Sequence, residues 1–125
     1  MGKKKQVLEV LDPVWKRIQT EAKEAVEKEP LLGGSLHACI LHHSSIEHAL
    51  AYRIASKLAS SEMSEQILRE ICDDAYKNTE ELSLAGRADI VAVYQRDPAC
   101  NTYIQPLLFF KGFQALQAYR VAHWL

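Results

Sequence analysis

Several features that commonly reveal a protein's class are missing from this sequence of 125 residues. No apolar run approaches the roughly 20 residues that a membrane-spanning helix needs, so we expect no membrane segment. The 15 basic and 16 acidic side chains nearly cancel, which leaves no field of one sign to attract nucleic acid or anionic lipid. Alternating apolar and polar residues bounded by turn signals are also lacking, which argues against strands.

Cysteine is scarce, with three residues in the whole chain. Cys39, Cys72 and Cys100 are odd in number, widely spaced and free of any C-x-x-C pair, so they favour neither a disulfide framework nor a zinc site. A reducing, cytoplasmic compartment therefore fits best. The one run of like charge, Lys3 to Lys5, has no apolar stretch behind it and predicts a solvated N-terminal arm over residues 1–12.

Apolar residues at steps of three and four predict an all-α fold. Asp12 and Pro13 supply a helix cap and a first-turn proline, and Pro30 ends that helix. Ser44 and Glu47 have the spacing of a capping box. Ser61 or Ser64, and later Thr79, provide further caps. The predicted helices span residues 13–29, 31–43, 45–59, about 64–77 and 79–96.

The last segment, residues 107–125, differs because its apolar side chains spread around the whole helical wheel. A small domain has little room to bury such a helix on every side. Gly112, Ala115, Tyr119 and Ala122 share one seam where a neighbouring backbone could approach closely. The pattern leaves two interpretations, the core of the domain itself or an interface with another subunit or domain.

Two blocks of sequence are more specific, the R-D-P-A of residues 96–99 and the K-G-F-Q-A-L-Q-A-Y-R of residues 111–120. With their surroundings from Pro13 to Leu125, they resemble the N-terminal helical domain of serine acetyltransferase. The resemblance implies a compact all-α domain of five to seven helices over residues 13–125. In that family the acetyl-CoA site and the catalytic histidine lie in a left-handed β-helix that follows. This sequence stops at Leu125, so we expect no catalytic residue and no bound cofactor within it.

Asp97 is the strongest candidate site residue. It follows a predicted helix, where the macrodipole disfavours an anion, and a carboxylate held against that field suits a bound ammonium group. From the residues alone, a turn aspartate paired with Arg96 is the competing interpretation. The resemblance implies that Asp97, followed by Pro98, contacts the amino group of the substrate serine or of the inhibitor cysteine.

Other reactive residues have simpler explanations. His37, His42, His43 and His48 contain no pair at i,i+3 or i,i+4, the spacings that let two imidazoles share an ion on an α-helix, so we expect no metal site. Cys100 lies after a turn without a nucleophile signature. His123 on an apolar helix is expected to be a packing residue.

The resemblance implies an acyltransferase of amino-acid biosynthesis, serine O-acetyltransferase, which uses acetyl-CoA as co-substrate and makes the precursor of cysteine. This part would supply one side of the serine and cysteine site. It would also supply homo-oligomerisation, as a dimer of trimers in bacterial relatives. O-acetylserine sulfhydrylase binds a C-terminal tail of the family that this sequence does not contain. The alternative is a self-associating helical module without enzymatic activity.

Overall fold

The structure is a computed structural model that describes residues 12–124. Over this range it contains seven α-helices and no strand, which confirms the all-α prediction. The predicted arm lies outside the described residues except for Asp12. The helices are α1 (Pro13–Lys28), α2 (Gly33–Leu36), α3 (Ile46–Leu58), α4 (Glu65–Asn78), α5 (Glu80–Arg96), α6 (Ile104–Phe109) and α7 (Lys111–Trp124). No described helix is long and apolar enough to cross a membrane.

The first helix begins and ends where the sequence predicts. The Asp12 carboxylate accepts a hydrogen bond from the backbone N–H of Trp15 at 3.1 Å, and Pro13 occupies the first helical position. Pro30 lacks a backbone N–H and restricts the residue before it, so Glu29 adopts an extended conformation with φ −140°. These local signals account for the positions of both ends of α1.

The second predicted helix, residues 31–43, is not one regular helix. It consists of a 3₁₀ turn at Pro30–Leu32, the short α2, and a π-turn at His37–Leu41. The backbone N–H of His42 donates to the carbonyl of His37 at 2.8 Å, which is the five-residue step of a π-turn. This extra residue in the turn accompanies the burial of Cys39, Ile40 and His43.

The caps of the next helices are partly as predicted. Ser45, not Ser44, caps α3, because its hydroxyl accepts from the N–H of His48 at 3.2 Å. The predicted Ser44–Glu47 capping box is therefore wrong. Glu47 instead pairs with Arg87 of α5 at 2.7 Å. Ser64 caps α4 through the N–H of Ile67 at 3.2 Å, which settles the choice between Ser61 and Ser64.

The core forms where α3 meets α4 and where α1, α5 and α7 cover it. Its fully buried side chains include Ile18, Ile46, Leu50 and Ile90. Gly86 allows α5 to approach closely, since a Cβ at that position would lie 2.9 Å from Leu50 Cδ1. A side chain at position 86 would therefore require Leu50 to shift.

The C-terminal segment divides at Phe110, whose extended backbone separates α6 from α7. Helix α7 buries Phe113 and Val121 together with two glutamines, Gln114 and Gln117. The glutamines are hydrogen-bonded, Gln114 to the carbonyl of Leu107 at 3.0 Å and Gln117 to Asp89 at 2.6 Å. Apolar side chains on the other side of α7 stay accessible, so the segment is core on one face only.

Candidate functional site

The sequence motif with Asp97 forms a tight turn directly after α5. The backbone N–H of Asp97 donates to the carbonyl of Val93 at 2.9 Å and so ends the helix. The carbonyl of Asp97 then accepts from the N–H of Cys100 at 2.9 Å, which closes the turn over Pro98 and Ala99. Proline fixes the chain direction as it leaves the helix.

The turn holds the Asp97 carboxylate in a defined direction. Its Oδ1 accepts a hydrogen bond from the N–H of Ala99 at 2.9 Å, the geometry of an Asx turn. Asp97 and Pro98 are both exposed. Among the described residues, no ion pair joins Asp97 to Arg96. Asp97 is thus a turn aspartate without the Arg96 ion pair of the competing interpretation.

A shallow, open depression lies beside this carboxylate. Asp97 and Pro98 line it together with Ala92, Val93 and Arg96, and its volume is about 430 Å³. The last carbonyl groups of α5 point towards this end, and the helix macrodipole places partial negative charge here. The Asp97 carboxylate therefore lies beside the negative end of a helix, and Arg96 lines the same depression.

Side chains from elsewhere anchor the loop that continues from the turn. The Gln105 Oε1 accepts from the N–H groups of Asn101 at 2.6 Å and Thr102 at 3.0 Å. The Glu21 carboxylate of α1 accepts from the N–H of Tyr103 at 2.9 Å. Residues 97–103 are therefore held at both ends, by α5 and by contacts with α1 and α6.

Aromatic stacking reinforces the contact with α1. The guanidinium of Arg17 lies 4.0 Å from the ring centroid of Tyr103 and 4.7 Å from that of Tyr94, and Arg17 Nε lies 3.5 Å from Glu21. Sequence reasoning did not find Arg17, Glu21 or Gln105. Glu21 and Tyr103 are 82 positions apart, and a single sequence carries no signal for such a contact.

Cys100 is close to the site in sequence but unsuited to nucleophilic chemistry. Its side chain is buried. Burial raises the pKa of the Cys100 thiol, and the thiol donates to the carbonyl of Thr102 at 3.2 Å. Because the thiolate is the reactive form, this environment favours a structural role.

The histidines do not join this loop. His123 is exposed, and its ring stacks on Tyr119 with centroids 6.0 Å apart, so it is not the packing residue that the sequence suggested. His37, His42 and His43 cluster instead at the π-turn. Within residues 12–124 no group of three or more His, Cys, Asp or Glu side chains is arranged to hold a metal ion.

Comparison with known proteins gives consistent results. The family model for the N-terminal region of serine acetyltransferase matches residues 14–118. The serine acetyltransferase of Salmonella typhimurium is 45% identical over 117 residues, which cover 94% of this chain and 43% of that protein. The chain thus spans less than half the length of this relative.

Solved structures agree in both sequence and fold. A Brucella abortus serine acetyltransferase in complex with coenzyme A is 44% identical, with a TM-score of 0.88 over 94% of this chain and 47% of the other. A Neisseria gonorrhoeae serine acetyltransferase in complex with serine is 43% identical, with a TM-score of 0.85. The match covers 90% of this chain and 46% of that chain. The chain therefore belongs to the serine acetyltransferase family, and it corresponds to the N-terminal helical domain of that family.

Proposed function

We propose that this chain acts as the N-terminal domain of a serine O-acetyltransferase, an enzyme that transfers acetyl from acetyl-CoA to the serine hydroxyl in cysteine biosynthesis. The family match over residues 14–118 supports this assignment. So do the relatives solved with coenzyme A, with serine and with cysteine. Serine and cysteine are the proposed small-molecule ligands, and acetyl-CoA is the proposed co-substrate of the complete enzyme.

The observation that carries the site assignment is the exposed Asp97 carboxylate at the end of α5. The N–H of Ala99 donates to one oxygen of the carboxylate, and the side chain lines an open depression. A charge-assisted hydrogen bond to an ammonium group is roughly twice as strong as a neutral one. Asp97 would therefore bind the amino group that serine and cysteine share, with Pro98 shaping the turn.

The remaining catalytic groups would come from outside this domain. Acetyl transfer to a hydroxyl needs a general base and a stabiliser for the oxyanion. Cys100 is buried and protonated, and we assign no catalytic role to His123. The resemblance assigns the base, its orienting aspartate and the CoA site to the left-handed β-helix. We therefore propose domain 13–125 as a substrate-positioning part that needs such a partner.

Self-association is the second proposed role, and the exposed side of α7 supports it. Leu116 is 39% exposed, Tyr119 66% and Trp124 36%, and Ala115 and Ala122 are also exposed. The seam of small residues identified in the sequence thus faces outward. A continuous apolar helix face of this kind is typical of an interface. A homo-oligomer, a dimer of trimers as in bacterial relatives, is the assembly we propose.

We also propose a cytoplasmic location. Cys39, Cys72 and Cys100 are all buried free thiols, which suits a reducing compartment. Burial raises the pKa of Cys72 to about 11, so this thiol stays protonated at neutral pH. Coupling to O-acetylserine sulfhydrylase would require the family's C-terminal tail, which these residues do not include.

A chimera tests the proposed function. Residues 13–124 would replace the matching part of the Salmonella typhimurium relative, and acetylation of serine by acetyl-CoA would be measured. We expect activity within about tenfold of the unaltered relative, since the two share 45% identity across this region. A folded, oligomeric chimera that binds coenzyme A but fails to acetylate serine would contradict the proposal.

A further inference from the structure

The π-turn brings together two histidines that an α-helix would separate. His37 and His42 are five positions apart, and the hydrogen bond from the N–H of His42 to the carbonyl of His37 is 2.8 Å long. A π-turn places residues i and i+5 above one another, whereas an α-helix does so for i and i+4. The two ring centroids lie 5.7 Å apart, with the planes tilted by 46°.

We propose that His37 and His42 form a two-imidazole binding site for a borderline divalent metal ion of the Zn²⁺ class. An ion holds each imidazole nitrogen at about 2.0–2.1 Å, so two rings on one tetrahedral ion have centroids about 5–6 Å apart. The observed separation falls in that range. Both side chains are exposed, so an ion can reach them and water can fill its remaining positions.

His43 packs against this pair. Its ring is 5.3 Å from that of His42 in an edge-to-face arrangement and 5.1 Å from Tyr52. It is buried, and its Nε2 lies 2.8 Å from the carbonyl of Ala38. This hydrogen bond occupies one of its nitrogens and its ring is buried, so we assign the two ligand positions to the exposed pair, His37 and His42.

The surroundings decide which ions can bind. No group of three ligand-type side chains that includes carboxylates is found in residues 12–124. Mg²⁺ and Ca²⁺ require several oxygen ligands, which two imidazoles do not supply. Nitrogen ligands select Zn²⁺, Co²⁺, Ni²⁺ or Cu²⁺ instead.

The experiment titrates the tag-free 125-residue chain with Zn²⁺ and measures both binding and the melting temperature by calorimetry. We expect saturable binding of one ion and a rise in melting temperature with Zn²⁺ concentration, because the ion binds the folded turn. Mg²⁺ at the same concentrations should give neither effect. His37→Ala and His42→Ala should each weaken binding by at least about tenfold. Even the loss of a residue that only hydrogen-bonds to a metal ligand lowers metal affinity about 10–100-fold.

The matched control is His48→Ala, which removes an exposed histidine from the first turn of α3 and should leave binding unchanged. Co²⁺ provides the second readout, since its spectrum should lack a thiolate charge-transfer band if Cys39 on the same turn does not bind. Equal Zn²⁺ binding by the wild type and both alanine variants would overturn the proposal. So would a thiolate band, or the absence of saturable binding in a chain that folds normally.

Discussion

Arg87 joins three helices, and its removal tests whether this contact stabilises the domain. Its Nη2 lies 2.6 Å from Asp12, the cap of α1, and its Nη1 lies 2.7 Å from Glu47 of α3. Arg87 Nε also donates to Asp12 at 3.2 Å, and Nη1 donates to the carbonyl of Ser83 at 2.9 Å. Burial alone would lower the pKa of Arg87, but the hydrogen bonds to the two carboxylates outweigh it and raise that pKa. The guanidinium is therefore firmly charged.

The loss of stability expected for Arg87→Met follows from the burial of the three charged side chains. The side chains of Arg87, Asp12 and Glu47 are 21%, 11% and 23% exposed, so the substitution leaves two largely buried carboxylates without their cation. Breaking a buried pair costs about 3–5 kcal/mol, and the residual exposure places this case near 3 kcal/mol. For a domain of 125 residues, this corresponds to a melting temperature lower by about 10–15 °C.

Calorimetry and urea unfolding would measure the effect. Arg96→Met is the matched control, because Arg96 is exposed and its loss should change stability by less than about 0.5 kcal/mol. Arg87→Lys keeps the charge but loses the planar guanidinium that donates to both carboxylates. It should therefore retain about half of the stability that Arg87→Met removes. The double variant Arg87→Met, Glu47→Gln should cost less than the sum of the single changes. The reasoning is refuted if Arg87→Met and Arg96→Met are equally stable.

Three further outcomes are expected. Burial lowers the pKa of His43 from 6.5, so below that pH the unfolded chain binds a proton that the folded chain does not. Unfolding free energy should therefore fall as pH drops from 7.5 to 5.5, and fall less in His43→Gln; parallel pH curves would contradict this. The 125-residue chain alone should not acetylate serine, and turnover in a preparation free of host enzyme would count against the domain assignment. The chain should self-associate in sedimentation at micromolar concentration, and Leu116→Glu with Tyr119→Lys should weaken that association; a wild-type monomer without concentration dependence would argue against an α7 interface.

Local signals predicted most of the helices, because the features that start and stop them are encoded nearby. Asp12, Pro13 and Pro30 fix α1, and Ser64 fixes the start of α4. The prediction failed where adjacent residues offered the same signal. Ser44 and Ser45 can both cap a helix, and the contact between Glu47 and Arg87 removes Glu47 from the predicted capping box.

Two further features could not be predicted from the helical spacing of apolar residues. The π-turn shifts the register by one residue, so the 3.6-residue pattern concealed the approach of His37 to His42. Helix α7 buries Gln114 and Gln117, whose side-chain NH₂ groups donate to the carbonyl of Leu107 and to Asp89, whereas the helical wheel suggested apolar contacts on all sides. In the candidate site, the motif identified Asp97, but the anchoring by Glu21 depends on tertiary structure.

The measurement that tests the central proposal most directly is the kinetics of Asp97→Asn in the active chimera. Asparagine can keep the hydrogen bond to the N–H of Ala99 while removing the charge. We expect kcat/KM for serine to fall roughly ten- to a hundredfold, or about 1.5–3 kcal/mol, with the KM for acetyl-CoA unchanged. Asp74→Asn, an exposed aspartate in the last turn of α4, should leave both parameters unchanged. If Asp97→Asn instead lowers the melting temperature by several degrees and leaves serine kinetics intact, Asp97 is a structural turn residue and the site assignment is wrong.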